Sequence, residues 1–214
     1  SDVYKRQVGA WTQGGVVYIG HDTRESSAVL VDAAVDGLIQ SGAQAVRLGV
    51  VPTAAVSAAV AADGAKAGIM VTASHNPWMD NGLKVVDARG EKLVNPDDLV
   101  ACFGATPQCQ RGSVTTHPSP LHAWLAALPR PDLTGRSILL DGAHGAGAAA
   151  AANALRERGA VVTELANAPN GRNINQGVGA MHPPQDLRGC DMAICLDGDA
   201  DRLVMVHPIK GVLD

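Results

Sequence analysis

Residues Ala67–Val71 read Ala-Gly-Ile-Met-Val, an apolar run with no polar alternation. A strand of that kind has both faces in the interior, which happens in parallel sheets covered by helices on either side. The surrounding sequence supplies the other parts. Runs at 16–19, 45–48 and Leu83–Val86 read as further strands, and Val29, Leu30, Ala33, Ala34, Leu38 and Ile39 share one face of a helix capped by Ser26 or Ser27. Pro52 sits where a second helix can begin, with Val56, Ala59 and Val60 on its apolar side. Asn95 and Pro96 look like the cap and first residue of a short helix reaching Cys102.

The character changes between residues 104 and 120, where Gly, Pro, Ser, Thr and Gln dominate and apolar periodicity stops. That stretch reads as a link between two units, one over residues 8–117 and one over residues 118–214. In the second unit a helix is expected near 121–128 and a strand at 137–140. A helix at 148–158 and a strand at Val161–Leu165 follow. After a long polar loop at 166–183, strands at Met192–Leu196 and 203–206 flank a tight acidic turn. The fold class is therefore α/β: two layered α/β/α units with mostly parallel mixed sheets. Composition agrees, because only three Trp, two Tyr and one Phe are present and 24 glycines allow close layer packing.

Charge and patterning exclude several functions. Lys and Arg number 17 against 21 Asp and Glu, for a net charge of −4, and no basic run offers a nucleic-acid surface. No stretch of 18 uncharged apolar residues exists to span a membrane, and no cationic start leads into an apolar run as in a signal peptide. Cys102, Cys109, Cys190 and Cys195 lack C-x-x-C spacing and read as free thiols of a cytoplasmic protein.

Three strand ends carry chemistry. Asp197-Gly198-Asp199-Ala200-Asp201-Arg202 places three carboxylates at i, i+2 and i+4 after a buried strand. Like charges so close repel unless a cation lies among them, and an all-oxygen donor set suits Mg²⁺ or Ca²⁺. An EF-hand is excluded, since Arg202 and Pro208 stand where that loop needs Gly and Glu. Thr72-Ala73-Ser74-His75-Asn76-Pro77 follows Ala67–Val71 directly. A serine at the carboxyl end of a parallel strand is where such folds build sites, and its weak hydroxyl needs a base, or a metal and a phosphate donor. His75 and Lys84 are candidate neighbours. Asp141-Gly142-Ala143-His144-Gly145-Ala146-Gly147 forms a third turn, in which Gly145, Gly147 and Ala150, with Glu164 beyond, fit a dinucleotide fingerprint. The strand ends some residues too early for that fingerprint, and a tight strand-to-helix turn is the preferred reading. Asp22, Thr23 and Arg24 can anchor a phosphate or cap a helix.

Together these segments resemble the α-D-phosphohexomutase family, whose serine loop reads T/S-A-S-H-N-P and whose metal loop reads D-G-D-x-D-R. Asn81-Gly82-Leu83-Lys84 fits the family's next motif. Asn173-Ile174-Asn175 through His182 and Pro183 is most similar to the phosphoglucosamine mutase branch, with Ala180 replacing its serine. The resemblance implies that Ser74 carries the transferred phosphoryl group. It implies that Asp197, Asp199 and Asp201 hold one Mg²⁺, which Ser74 also ligates through its phosphate. It makes Arg202, Lys84 and His75 the residues that stabilise or position the group in transfer. The implied substrate is a hexosamine phosphate, glucosamine first, interconverted between its 6- and 1-phosphates through a 1,6-bisphosphate; the alternative within the same family is a phosphomannomutase/phosphoglucomutase.

The family's opening G-T-x-G-x-R-G loop has no counterpart here, and residues 1–7 do not look like the family's start. The resemblance further implies a chain truncated from a four-domain enzyme and inactive in turnover by itself. A Rossmann-type nucleotide module would leave Ser74 and the aspartates unexplained. A non-catalytic metal-binding domain would leave Ser74 idle. A haloacid-dehalogenase-like phosphatase needs its aspartate motif early in the chain, with Thr or Val where Asp201 stands.

Overall fold

The computed structural model describes residues 8, 10–93 and 110–213. The helix expected from Asn95 to Cys102, Cys109 and the chain start at 1–7 lie outside the described residues. Two compact units result: Ser1–His21, Ser27–Val71 and Leu83–Trp124 make the first, and Asp22–Ser26, Thr72–Gly82 and Leu125–Asp214 make the second.

The first unit contains β1 (Val16–His21), α1 (Ser27–Gln40), β2 (Gln44–Val50), α2 (Thr53–Asp63), β3 (Ala67–Val71), β4 (Leu83–Val86) and β5 (Val114–Thr116). Its sheet runs β4-β3-β1-β2-β5, parallel except for the antiparallel β3–β4 pair. Period-two alternation sends Val17, Ile19, Ile69 and Val71 to one face, where Val31, Val35 and Leu38 of α1 cover them. Tyr18 and Met70 point to the other face and meet Val56, Ala59 and Val60 of α2. That helix lies close because Gly68 has no side chain; a Cβ there would come within 2.8 Å of Val56 and Val60. Pro52 caps α2 in extended conformation, and Gly64 ends it at φ 70°.

The second unit contains β6 (Ser137–Asp141), α4 (Ala148–Glu157), β7 (Val161–Leu165), β8 (Met192–Leu196), β9 (Leu203–His207) and β10 (Gly211–Leu213), with α3 (His122–Ala127) preceding them. The order is β10-β9-β8-β6-β7, with β6 parallel to β7 and β8 and the last two pairings antiparallel. Leu140 and Leu196 pack beneath Ala152 of α4. On the opposite face, Leu139, Ala193 and Cys195 pack with Leu187 and Cys190 of an irregular segment.

Two strands differ from expectation. β5 lies inside the stretch read as a link, pairing with the edge of β2 through Ala45, Val46 and Arg47. Its three residues are all exposed, so no buried alternation announces it. The exposed β10 is equally short and pairs only with β9. Among the described residues no helix is long and apolar enough to cross a membrane. Cys190 and Cys195 are buried free thiols, and burial, then the charge of Asp141, pushes the Cys195 thiol up to about 12.

Candidate active site

β1 and β3 are parallel neighbours in which His21 stands beside Val71. The residues that follow, Asp22 and Thr72, therefore leave the sheet at the same end. Asp22 is fully buried, and its Oδ2 accepts from the Thr72 hydroxyl at 2.7 Å. Thr72 Oγ1 accepts in turn from the Ser74 amide at 2.9 Å. The same Asp22 Oδ2 accepts from Arg24 Nε at 2.8 Å in an ion pair with both side chains wholly buried. The Arg24 guanidinium then donates to the carbonyls of Ser74 at 2.8 Å, Asn76 at 3.0 Å and Pro77. One buried carboxylate thus fixes the peptide groups on both sides of Ser74, which sits at φ 51°. A left-handed backbone is costly outside glycine and persists where its surroundings impose it.

The acidic turn joins β8 to β9. Ala200 closes it at φ 54°, its amide donating to the Asp197 carbonyl at 3.0 Å. Asp197 and Asp199 are buried, Asp201 is exposed, and one carboxylate oxygen from each lies within 4.8 Å of the others. Ser74 Oγ donates to Asp197 Oδ2 at 2.6 Å and stands 3.4 Å from Asp201 Oδ1. Both loops belong to the second unit. Burial pushes the Asp197 carboxyl above its ordinary range; the Ser74 hydrogen bond opposes this, and the charges of Asp199 and Asp201 add to it. The donor set fits a hard divalent cation: three carboxylates, two of them removed from water, converge beside one hydroxyl.

The other expected residues are placed as follows. His75 follows the serine, half-buried, and its Nδ1 is buried with no hydrogen-bond partner among the described residues. The Arg202 amide donates to Asp197 Oδ1 at 3.2 Å, while its side chain is 56% exposed and its Nε is 3.9 Å from Asp201. Lys84 lies on β4 in the first unit, opposite Met70 and half-buried.

The glycine turn after β6 has a packing role. A Cβ on Gly145 would lie 2.4 Å from the Gly198 carbonyl oxygen, and one on Gly147 would lie 2.5 Å from Ala200 Cβ. The Ala146 amide donates to the Gly198 carbonyl at 2.9 Å. These glycines approach the aspartate turn, and Glu164 is engaged with Arg156 and Asn167. Asp141 anchors the turn from beneath, its oxygens accepting from the Ala143 and Gly179 amides. Burial pushes its carboxyl up.

The sequence argument left Asp22 and Arg24 undecided between phosphate and helix cap, and missed Thr72 and Asn175. Polar residues at the ends of adjacent parallel strands were the available signal for Asp22 and Thr72. Asn175 gives none, since nothing local links it to residues a hundred positions away.

The chain is similar to known proteins. Residues 2–100 match the family model described as "Phosphoglucomutase/phosphomannomutase, alpha/beta/alpha domain I". A phosphoglucosamine mutase of Frankia casuarinae is 42% identical over 216 residues, covering 93% of this chain and 47% of its own. The chain belongs to the phosphohexomutase family. It spans about half the length of the curated relatives it matches. A phosphoglucomutase/phosphomannomutase family protein from Burkholderia thailandensis shares the phosphohexomutase fold at TM-score 0.77 and 23% identity, over 99% of this chain and 52% of that one. The N-acetylphosphoglucosamine mutase of Aspergillus fumigatus, solved with GlcNAc-6P and magnesium, superposes at TM-score 0.53 and 18% identity, over 90% and 34% of the two chains.

Proposed function

We propose that this chain carries the phosphoryl-transfer centre of a phosphohexomutase acting on a hexosamine phosphate, with glucosamine phosphate as the first choice. The observation that carries the reading is the 2.6 Å contact between Ser74 Oγ and Asp197 inside a triad of carboxylates. Asp197, Asp199 and Asp201, with Ser74, are the residues that would hold Mg²⁺. When bound, the cation offsets negative charge on the phosphoryl oxygens.

Ser74 takes the group from a sugar 1,6-bisphosphate. The Oγ–P bond forms, one sugar O–P bond breaks, and the serine proton ends on the released sugar oxygen. The reverse step returns the group to the other hydroxyl of the reoriented sugar. Positioning and charge stabilisation supply most of such a reaction's catalysis. The exposed Arg202 side chain has room to meet an arriving phosphoryl group. His75 offers an imidazole nitrogen with no partner among the described residues. Lys84 enters through its motif alone. The glucosamine preference rests on the segment from Asn173 to Pro183. The free thiols Cys190 and Cys195 fit a cytoplasmic setting. Multiple turnover is expected to need more chain than these 214 residues.

Peptide mass mapping after incubation with Mg²⁺ and glucosamine 1,6-bisphosphate tests the reading, with Ser74→Ala as control. Phosphate on Ser74 that disappears in the variant supports it. Phosphate elsewhere, or none, refutes it for this chain. Faster labelling by glucose 1,6-bisphosphate would move the substrate away from hexosamines.

A further inference from the structure

The carbonyls of Ser74 and Asn76 each accept two side-chain hydrogen bonds. Arg24 provides one donor to each. Asn175 Nδ2 provides the other, at 2.8 Å to Ser74 and 3.1 Å to Asn76. Both partners are carbonyl oxygens, so the amide nitrogen must face them.

Asn175 is itself held. Its backbone is left-handed at φ 58°, and its amide donates to the Ala143 carbonyl of the glycine turn at 2.9 Å. Its side chain is buried against Gly198 in the aspartate turn, where any Cβ would come within 2.9 Å of Nδ2 and 2.7 Å of the Ser74 carbonyl oxygen. One side chain therefore meets the glycine turn, the aspartate turn and the nucleophile's own peptide. It touches none of the three carboxylates by a hydrogen bond.

We infer that Asn175 is a positioning residue for Ser74, setting the direction of Oγ toward the aspartate triad; this deepens, and rests on, the phosphoryl-transfer reading above. Losing its two donors leaves Arg24 alone to hold the Ser74 and Asn76 carbonyls. The Ser74 carbonyl then swings, and Oγ leaves its line to Asp197. A reacting atom displaced by about 1 Å loses on the order of a hundredfold in rate.

The test uses the 214-residue chain and Asn175→Gly, which keeps the left-handed backbone and removes the donors with the rest of the side chain. Three readouts are taken: the rate of Ser74 phosphorylation by glucosamine 1,6-bisphosphate, Mg²⁺ affinity by calorimetry, and amide hydrogen exchange of the serine loop. The expected result is a roughly 10- to 100-fold slower phosphorylation and faster exchange confined to the serine loop, with Mg²⁺ affinity unchanged. A merely structural role would move metal affinity along with the rate. Phosphorylation as fast as in the parent chain overturns the inference. If the parent chain takes no phosphate, the phosphoryl-transfer reading falls, and exchange alone decides the positioning. Faster serine-loop exchange in the variant then sustains it, and identical exchange overturns it. Should Asn175→Gly not fold, Asn175→Asp also tolerates φ above zero and presents only acceptors to the two carbonyls; it is read by serine-loop exchange, faster exchange sustaining the inference and identical exchange overturning it, because its added carboxylate alters Mg²⁺ affinity and phosphorylation by charge alone.

Discussion

Substituting Gly145 with alanine separates the two explanations of the glycine turn. The added Cβ would sit 2.4 Å from the Gly198 carbonyl oxygen and 2.8 Å from its Cα, against backbone rather than a flexible side-chain end. The aspartate turn must retreat by roughly an ångström to restore ordinary contact, at an overpacking cost of about 1–3 kcal/mol. That retreat stretches the 2.9 Å bond from the Ala146 amide to the same carbonyl, for about another 1 kcal/mol. The sum, about 2–4 kcal/mol, corresponds to a melting temperature lowered by roughly 4–16 °C for a chain of this size. Gly198 lies between two of the carboxylates, so Mg²⁺ affinity should fall as well. Thermal denaturation followed by circular dichroism and titration with Mg²⁺ measure both effects. If the glycines instead let a dinucleotide approach, the variant would melt within a degree or so of the parent and bind Mg²⁺ normally. That result would refute the packing argument.

Asp22→Asn leaves the Arg24 cation buried without its ion partner. The expected loss is about 3–5 kcal/mol, and an unaltered melting curve would show that the pair is not what holds the serine loop. Saturating Mg²⁺ should stabilise the parent chain by about 2.7 kcal/mol at a hundred times its dissociation constant, and Asp199→Asn should abolish the gain; equal stabilisation of both would place the ion elsewhere. Burial, then the hydrogen bond and charge of Asp63, pushes the Tyr18 hydroxyl up to about 12. Since the folded value is raised, its stabilising contribution is whole below pH 10.0 and is lost as pH climbs toward 12. With Tyr4→Phe leaving Tyr18 as the one tyrosine, absorbance at the tyrosinate band should titrate near that upper value, and a midpoint at the ordinary value would contradict the packing of Tyr18 against Asp63.

Sequence patterning recovers elements that carry a continuous apolar run or a single apolar face. β3, buried at every residue, and α1, with one apolar face, were both legible. β5 and β10 were not, because three exposed residues pairing at a sheet edge leave no hydrophobic record. The same logic divides the site. Ser74 and the aspartates stand out because side chains that do chemistry are confined to a narrow choice of residue types and spacings. Arg24 and Asn175 act by holding backbone carbonyls, a task open to any donor at the right place, and Asp22 acts by accepting from Thr72 and Arg24. Their identity becomes visible only when β1 and β3 are known to be parallel neighbours and the loop after β7 is known to reach Ser74. The glycine fingerprint is ambiguous for a related reason. A turn that must let another backbone come near needs the same residues whether the visitor is a pyrophosphate or, as here, the Gly198 peptide.

Charge around Ser74 ties the metal to the phosphoryl group. Arg24 is committed to Asp22, so its cation does not offset the triad. Three carboxylates against the exposed Arg202 guanidinium leave an excess of negative charge beside the hydroxyl among the described residues. A phosphoryl group adds about 1.5–2 further negative charges at pH 7, so without a divalent cation its arrival is opposed by carboxylates of which two are buried. The two ligands should therefore bind cooperatively, and linkage makes the effect reciprocal. Mg²⁺ should bind more tightly when glucosamine 1,6-bisphosphate is present, and the bisphosphate more tightly when Mg²⁺ is present, by the same factor. Calorimetric titration in both orders measures it, with Asp201→Asn lowering the coupling by removing one of the repelling charges. Equal bisphosphate affinity with and without Mg²⁺ would mean that the phosphoryl group does not settle among these carboxylates, whatever else Ser74 does.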